Sequence, residues 1–266
     1  MSRLHFIYDM QIEYSVEVAT CNFTIKAIPG NTSRQRIENV RIDLFPKTPY
    51  CTGVDGLNNI QIYGVNEEPH KMFTFRMEGD AVTGLSKYEE CVNENLAMIF
   101  KHPHGLNIPG TGIKSYYERV KPKQQLSVYE QAVALMHTLH RDFIYKPCTT
   151  NVDTTGEEAF MQGQGVCQDY AHIFISLLHL AGIPARYVTG LVVGEGASHA
   201  WVEILWNDKW YGFDPTNDVI VGEDHIKIGV GRDAKDCTIN RGIMHGGGQQ
   251  TQTIKVNVIK TEESLR

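Results

Sequence analysis

No stretch of this sequence approaches the ~18 consecutive apolar residues that a membrane helix needs, so a membrane-embedded chain is not expected. The start, Met1-Ser2-Arg3-Leu4-His5, lacks the apolar centre of a signal peptide. Positive charge is not in excess either. The formal net charge is −6, which leaves no basic footprint for nucleic acid. No Cys-x-x-Cys pair occurs, and the six cysteines fall at positions 21, 51, 91, 148, 167 and 237. That spacing fits neither a zinc site nor the disulfide framework of a small secreted domain. No Asp-rich loop has EF-hand spacing, and nothing calls for a metal or another cofactor. These absences point to a reduced, cytoplasmic setting in which thiols stay free.

What is present is an ordinary globular balance, 42% hydrophobic and 21% charged over 266 residues. A chain of that length buries a sizeable core without staples, as one large or two modest domains. The first ~80 residues read as strands. Ile12, Tyr14, Val16 and Val18 alternate with polar residues, and Phe23, Ile25 and Ala27 continue the pattern. Val40, Ile42 and Leu44 alternate again, Ile60–Tyr63 and Met72–Arg76 add two runs, and Pro29-Gly30-Asn31 marks a turn. Short strands separated by turns predict a β-sandwich.

Near residue 85 the period changes. A weakly periodic helix is expected over 88–100. Ser127 with Glu130 forms a capping box, followed by Val128, Ala132, Leu135, Met136, Leu139 and Phe143 at helical spacing. Thr154 with Glu157 suggests another cap. His137 and His140 lack partners at metal-ligand spacing and read as surface or packing residues. After residue 185 the period returns to two, ending in a strand from Thr253 to Ile259. The expected architecture is α+β. A β-rich region spans 1–85, and a catalytic region spans 86–266, with a cysteine-bearing helix packed on an antiparallel sheet.

The chemistry concentrates at Gly163-Gln164-Gly165-Val166-Cys167-Gln168-Asp169-Tyr170-Ala171. Tyr170, Ile173, Phe174, Leu177, Leu178 and Ala181 lie on one helical face, and Gly182 and Pro184 stop the helix. Cys167 falls in the first turn, where unpaired N–H groups and the helix dipole favour a thiolate. Taken alone, a cysteine on an apolar face reads as inert core. His199 opens a strand running to Trp206, and Asp214 ends the next one. If Asn207 and Asp208 form a two-residue hairpin loop, Trp201 faces Asp214, and His199 and Asp214 become diagonal neighbours on one face. A nucleophilic thiol needs such a base, and the base needs an orienting acceptor.

Gly-Val-Cys-Gln-Asp-Tyr-Ala at 165–171, His-Ala-Trp-Val-Glu at 199–203 and Asp-Pro-Thr-Asn at 214–217 resemble the transglutaminase-like superfamily. In particular they are similar to its bacterial cysteine-protease members. Gly231-Arg232-Asp233 and the Gly-rich stretch at 246–248 look like that group's C-terminal part. The resemblance implies a papain-like or transglutaminase-like core in which Cys167 is the nucleophile, His199 the base and Asp214 its orienting partner. Substrate or oxyanion roles are nominated for Gln162, Gln164, Gln168 and Trp201, beside the backbone N–H of Cys167. The implied reaction is acyl transfer from a peptide or protein substrate through a thioester. With water as acceptor the enzyme is a peptidase, and with an amine it is a transglutaminase. A non-catalytic scaffold with the same fold is the third reading, and the sequence leaves the oligomeric state open.

Overall fold

Strand β1 (Ser2–Ile25) runs for 24 residues and organises the first half of the fold. The computed structural model describes residues 1–91 and 93–261. Along β1 the even positions from Leu4 to Tyr14 are all buried, as period-two alternation requires. The alternation then breaks. Val16 is exposed while Val18 is buried, because the register of pairing shifts between Glu13 and Val18. Such a bulge bends a strand and strengthens its twist. After it come β2 (Gln35–Phe45), β3 (Cys51–Val54), β4 (Ile60–Asn66) and β5 (His70–Thr83).

The residues after 85 do not form the long helix expected over 88–100. They give a two-residue strand, β6 (Glu89–Glu90), one helical turn, α1 (Glu94–Ala97), and a 3-10 turn (Met98–Lys101). Tertiary pairing wins over weak periodicity here, because Glu89 and Glu90 add a strand beside Trp210 and Lys209. Helices α2 (Thr111–Val120) and α3 (Val128–Asp142) follow. The Ser127–Glu130 capping box forms as expected, with Ser127 accepting from the Glu130 N–H and Glu130 accepting from the Ser127 N–H. Next are β7 (Ile144–Tyr145) and α4 (Gly156–Gln162). The cap of α4 is Thr155 with Glu158, one residue beyond the expected pair. Glu157 has another task. Its carboxylate accepts from the N–H groups of Gly110, Gly112 and Ile113, at 3.0, 2.7 and 3.0 Å. It thereby caps α2 from a neighbouring helix.

The remaining elements are β8 (Gln164–Gly165), α5 (Cys167–Leu180), β9 (Ala185–Val192), β10 (Gly194–Gly196), β11 (His199–Trp206), β12 (Lys209–Asp214), β13 (Val219–Ile220), β14 (His225–Gly231), β15 (Asn240–Gly246) and β16 (Gln250–Thr261). They complete two antiparallel sheets. The first has eight strands and takes them from both ends of the chain. The front half of β1 lies between β5 and β16, and its back half lies between β4 and β15. The inner faces share one apolar core containing Phe6, Phe23, Ile62, Phe75 and Val258. One continuous sheet, turned at the β1 bulge, thus builds the β-rich unit. The boundary expected at residue 85 does not separate the sheets. The strand expected at 253–259 as part of the catalytic region pairs along β1 instead, from Thr261 opposite Arg3 to Gln250 opposite Tyr14. Gly194–Gly196 is also a strand of this sheet, paired with β16.

The second sheet runs β13-β12-β11-β9-β14. Helix α5 packs on it, but not through a single stripe. Every residue from Asp169 to Leu178 is buried, because α2, α3 and α4 cover the sides of α5 that the sheet leaves free. The helix stops as the sequence requires. Gly182 adopts φ 74°, its N–H donates to His179 O, and the Ile183 N–H donates to Leu178 O. That is the paired bonding of a Schellman end. The fold is α+β, as expected. Among the described residues no helix is long and apolar enough to cross a membrane.

Candidate active site

The approach to Cys167 is shaped by two glycines with different tasks. Gly163 ends α4 in the left-handed region at φ 70°, where a side chain would be strained. Gly165 is needed for room, since a Cβ there would lie 2.5 Å from an Asp169 carboxylate oxygen. Between them β8 pairs in parallel with β7, and Val166 leads into α5 in extended conformation. Asp169 then reaches back. It accepts from the Val166 N–H at 2.7 Å and from the Thr150 hydroxyl at 2.7 Å. Its carboxyl is buried, and that burial pushes its pKa up. It is a structural clamp on the turn rather than an exposed charge at the helix end.

Cys167 is the first residue of α5 and is half-buried. At that position its N–H has no intrahelical acceptor. The imidazole of His199 lies close enough for Cys167 to influence its pKa. His199 arrives by way of the hairpin. Asn207 and Asp208 have φ of 49° and 58°, the conformation of a two-residue primed turn. Trp206 pairs with Lys209, and the register continues to Val202 opposite Phe213. The parity expected from the sequence therefore holds, and His199 Nε2 lies 2.8 Å from Asp214 Oδ2. Its Nε2 is taken by the carboxylate.

Burial alone would push the His199 pKa down. The hydrogen bonds and charges of Asp214 and Cys167 outweigh it and raise the pKa to about 10. Asp214 is fully buried. Burial opposes its charge, yet hydrogen bonds from His199, His225 and Asn217 hold its carboxyl well below the usual range. Its other oxygen accepts from the N–H groups of Thr216 and Asn217, at 3.0 and 3.2 Å. The Pro215 turn thus braces the carboxylate.

The other nominated residues are placed around this cluster as follows. Gln162 is exposed at the end of α4. Gln168 donates to the Val152 carbonyl at 3.3 Å. Gln164 is half-buried on β8. Trp201 is 1% exposed and lies in the sheet interior, its ring 6.3 Å from that of His199. Two groups went unnoticed in the sequence. Asn217 donates to Asp214 Oδ2 at 2.7 Å, and its place in Asp-Pro-Thr-Asn was the available signal. His225 Nε2 lies 3.3 Å from the same oxygen, and nothing local in the sequence announces it. The ligand-type atoms of His199, Asp214 and His225 all fall within 4.8 Å of one another, a spacing that could hold a cation. In this structure both imidazoles instead bond to the carboxylate itself.

The family model described as the transglutaminase-like superfamily matches residues 115–215, a span that includes Cys167, His199 and Asp214. An uncharacterised protein of Mycobacterium leprae is 42% identical over 265 residues, covering 91% of this chain and 93% of its own. The chain belongs to the transglutaminase-like superfamily. A protein-glutamine gamma-glutamyltransferase of Pseudomonas aeruginosa is 35% identical over 104 residues, 33% of this chain and 15% of that protein. Among solved structures, one reported as "a Putative Cysteine Protease" from Cytophaga hutchinsonii superposes with a TM-score of 0.81 at 19% identity. The match covers 100% of this chain and 92% of that one, so the whole two-sheet arrangement is shared.

Within this transglutaminase-like fold two tyrosines feel the charge of Cys167. Burial raises the pKa of Tyr145, and the charge of Cys167 raises it further. The same causes act more strongly on Tyr187, which is buried. The Gly231-Arg232-Asp233 segment is structural. Asp233 accepts from the N–H groups of Leu106 and Lys235, at 3.1 and 2.9 Å, and Arg232 pairs with Asp236.

Proposed function

We propose that this chain is a thiol-dependent acyl-transfer enzyme that hydrolyses amide bonds in peptide or protein substrates. The observation that carries the reading is the His199 imidazole, held at 2.8 Å by Asp214 and close enough to Cys167 for the thiol to help raise its pKa. With its pKa near 10, His199 is protonated at neutral pH and supplies the nearby positive charge that a thiol nucleophile needs. The thiolate sulfur attacks the amide carbonyl. The negative charge that develops on oxygen meets the Cys167 N–H at the start of α5. Gln164 is our candidate second donor, since it lies three residues earlier and is half-buried on β8. His199 gives its proton to the departing amine, which leaves a thioester. His199 then takes a proton from water, the hydroxide attacks the thioester, and the thiolate leaves. Asp214 holds the imidazole in orientation throughout.

Amine transfer uses the same machinery, and the similarity to a gamma-glutamyltransferase supports it as a second reading. The test separates the two. Purified protein is profiled on a peptide and isopeptide library by mass spectrometry, with and without a primary amine, against a Cys167→Ala control. Hydrolysis yields new carboxyl and amine termini without added amine. Products that appear only with the amine establish transfer. Absence of any Cys167-dependent product, with no acyl adduct on Cys167, would leave the scaffold reading in place.

A further inference from the structure

His225 lies outside the three motif segments, yet it meets the same Asp214 oxygen as His199. It comes from the far side of the sheet. On β9, Gly190 pairs with His199 of β11 along one edge, and Val192 pairs with His225 of β14 along the other. Gly190 makes the crossing possible, because a Cβ there would collide with the Trp201 ring and the Ile226 carbonyl. Trp201 can therefore lie across β9 and meet the His225 ring edge-on at 5.3 Å. The other side-chain and backbone donors to Asp214 are His199 and the turn at 216–217. Among the described residues, His225 alone ties the carboxylate to a strand beyond that local arrangement.

The second nitrogen of His225, Nδ1, is buried without a partner, and so are Trp201 Nε1 and Arg34 Nε. These three residues line one cavity of about 10 Å³, together with Glu203, Lys227 and Glu89. That is the scale of a single water molecule, and a water held by two to four polar groups satisfies groups that would be costly to leave unpaired. Trp201 Nε1 and Arg34 Nε can only donate, whereas a ring nitrogen of histidine can accept.

We propose that this cavity binds one ordered water, which accepts from Trp201 and Arg34 and donates to His225 Nδ1, making His225 a positioning residue for Asp214. The water fixes the tautomer. With Nδ1 accepting, the ring hydrogen sits on Nε2 and points at Asp214 Oδ2. The carboxylate oxygen is then held by His225 from β14 as well as by His199 from β11. The positioning role rests on the reading of Asp214 as the partner of His199 in catalysis, but its geometry can be tested without turnover.

The test uses the full chain labelled with ¹⁵N-histidine, as wild type, His225→Gln and His225→Phe. Glutamine keeps an N–H donor near the Nε2 position, whereas phenylalanine keeps the ring and loses the donor. In the wild type, His225 is expected as the Nε2–H tautomer, with the His199 Nε2 proton protected from solvent exchange. His225→Gln should keep that protection and the wild-type rate of Cys167 alkylation by iodoacetamide. His225→Phe should lose the protection and react about tenfold more slowly, the rate equivalent of one hydrogen bond to a charged group. An Nδ1–H tautomer in the wild type overturns the proposal, and so does a folded His225→Phe with a protected His199 proton. If His225→Phe fails to fold, the wild-type tautomer and His225→Gln still decide. Unselective alkylation of the wild type would instead count against the enzyme reading, while the imidazole signals still judge His225.

Discussion

His199 Nε2 and Asp214 Oδ2 stand 2.8 Å apart across a hairpin whose loop is two residues long. A loop of one more residue without a bulge would have put the two side chains on opposite faces of the sheet. The candidate site thus depends on the parity of a turn, and Asn207 and Asp208 supply it by accepting positive φ.

Asp214→Asn keeps the side chain's shape and removes its charge. The His199 pKa, about 10 in the intact site, should then fall toward its ordinary 6.5, since only Cys167 is left to oppose burial. The raised pKa means that the pair's contribution to stability is full below pH 6.5 and is lost as pH rises toward 10. In Asp214→Asn that alkaline loss should flatten. NMR titration of His199 and denaturation across this range measure both effects. Turnover should drop by about 10⁴-fold, by analogy with serine triads. An unchanged His199 titration would contradict the assigned partnership.

Cys167→Ala and Cys167→Ser should both lose turnover, because a serine hydroxyl is far harder to ionise than a thiol. Iodoacetamide near neutral pH should label Cys167 ahead of Cys51 and Cys148, which are free and more exposed. Peptide mapping after limited labelling reads the order. Labelling that followed exposure alone would contradict an activated thiol.

His172 predicts how the fold responds to acid. Burial lowers its pKa to about 4, against a smaller opposing effect of Asp233, and its Nε2 accepts from the Ala234 N–H at 3.2 Å. The unfolded chain takes up this proton first as pH falls. Stability should therefore be full above pH 6.5 and decline as pH drops toward 4, by up to about 3 kcal/mol from this group. His179 shifts in the same direction, again through burial. Urea denaturation between pH 7 and 4 should show the slope, reduced in His172→Gln. An equal slope in that variant would assign the acid loss to other groups.

Residues 86–266 expressed alone should not fold. The cut removes β1 to β5, strips β15 and β16 of their partner β1, and bares Leu191, Ile226 and Ile228. The expected result is an aggregating fragment without a cooperative melt. A soluble fragment with a sharp thermal transition would show the second sheet to be independent.

Much of this protein was legible in order along the chain. The strands of the first 80 residues, the Ser127 cap, the α5 helix with its Gly182 stop and the Asn207–Asp208 turn are all set by contacts within a few residues. Local periodicity and turn chemistry report such contacts directly. The same holds for the His199–Asp214 meeting, because a two-residue loop fixes register. Other features had no local cause. Whether β16 joins β1 or the second sheet depends on which apolar face it covers, and both choices suit its alternation. Glu157 looked like the cap of its own helix and became the cap of another. Residues 88–100 carried too weak a helical period to withstand pairing with β12. His225 had no motif of its own, and its place against Asp214 came from the pairing of β14 with β9. The sequence by itself determined the elements and the chemistry of the three motif segments. Only the tertiary structure decided which distant strands became neighbours, because that choice is made by the burial of whole faces rather than by any short stretch of residues.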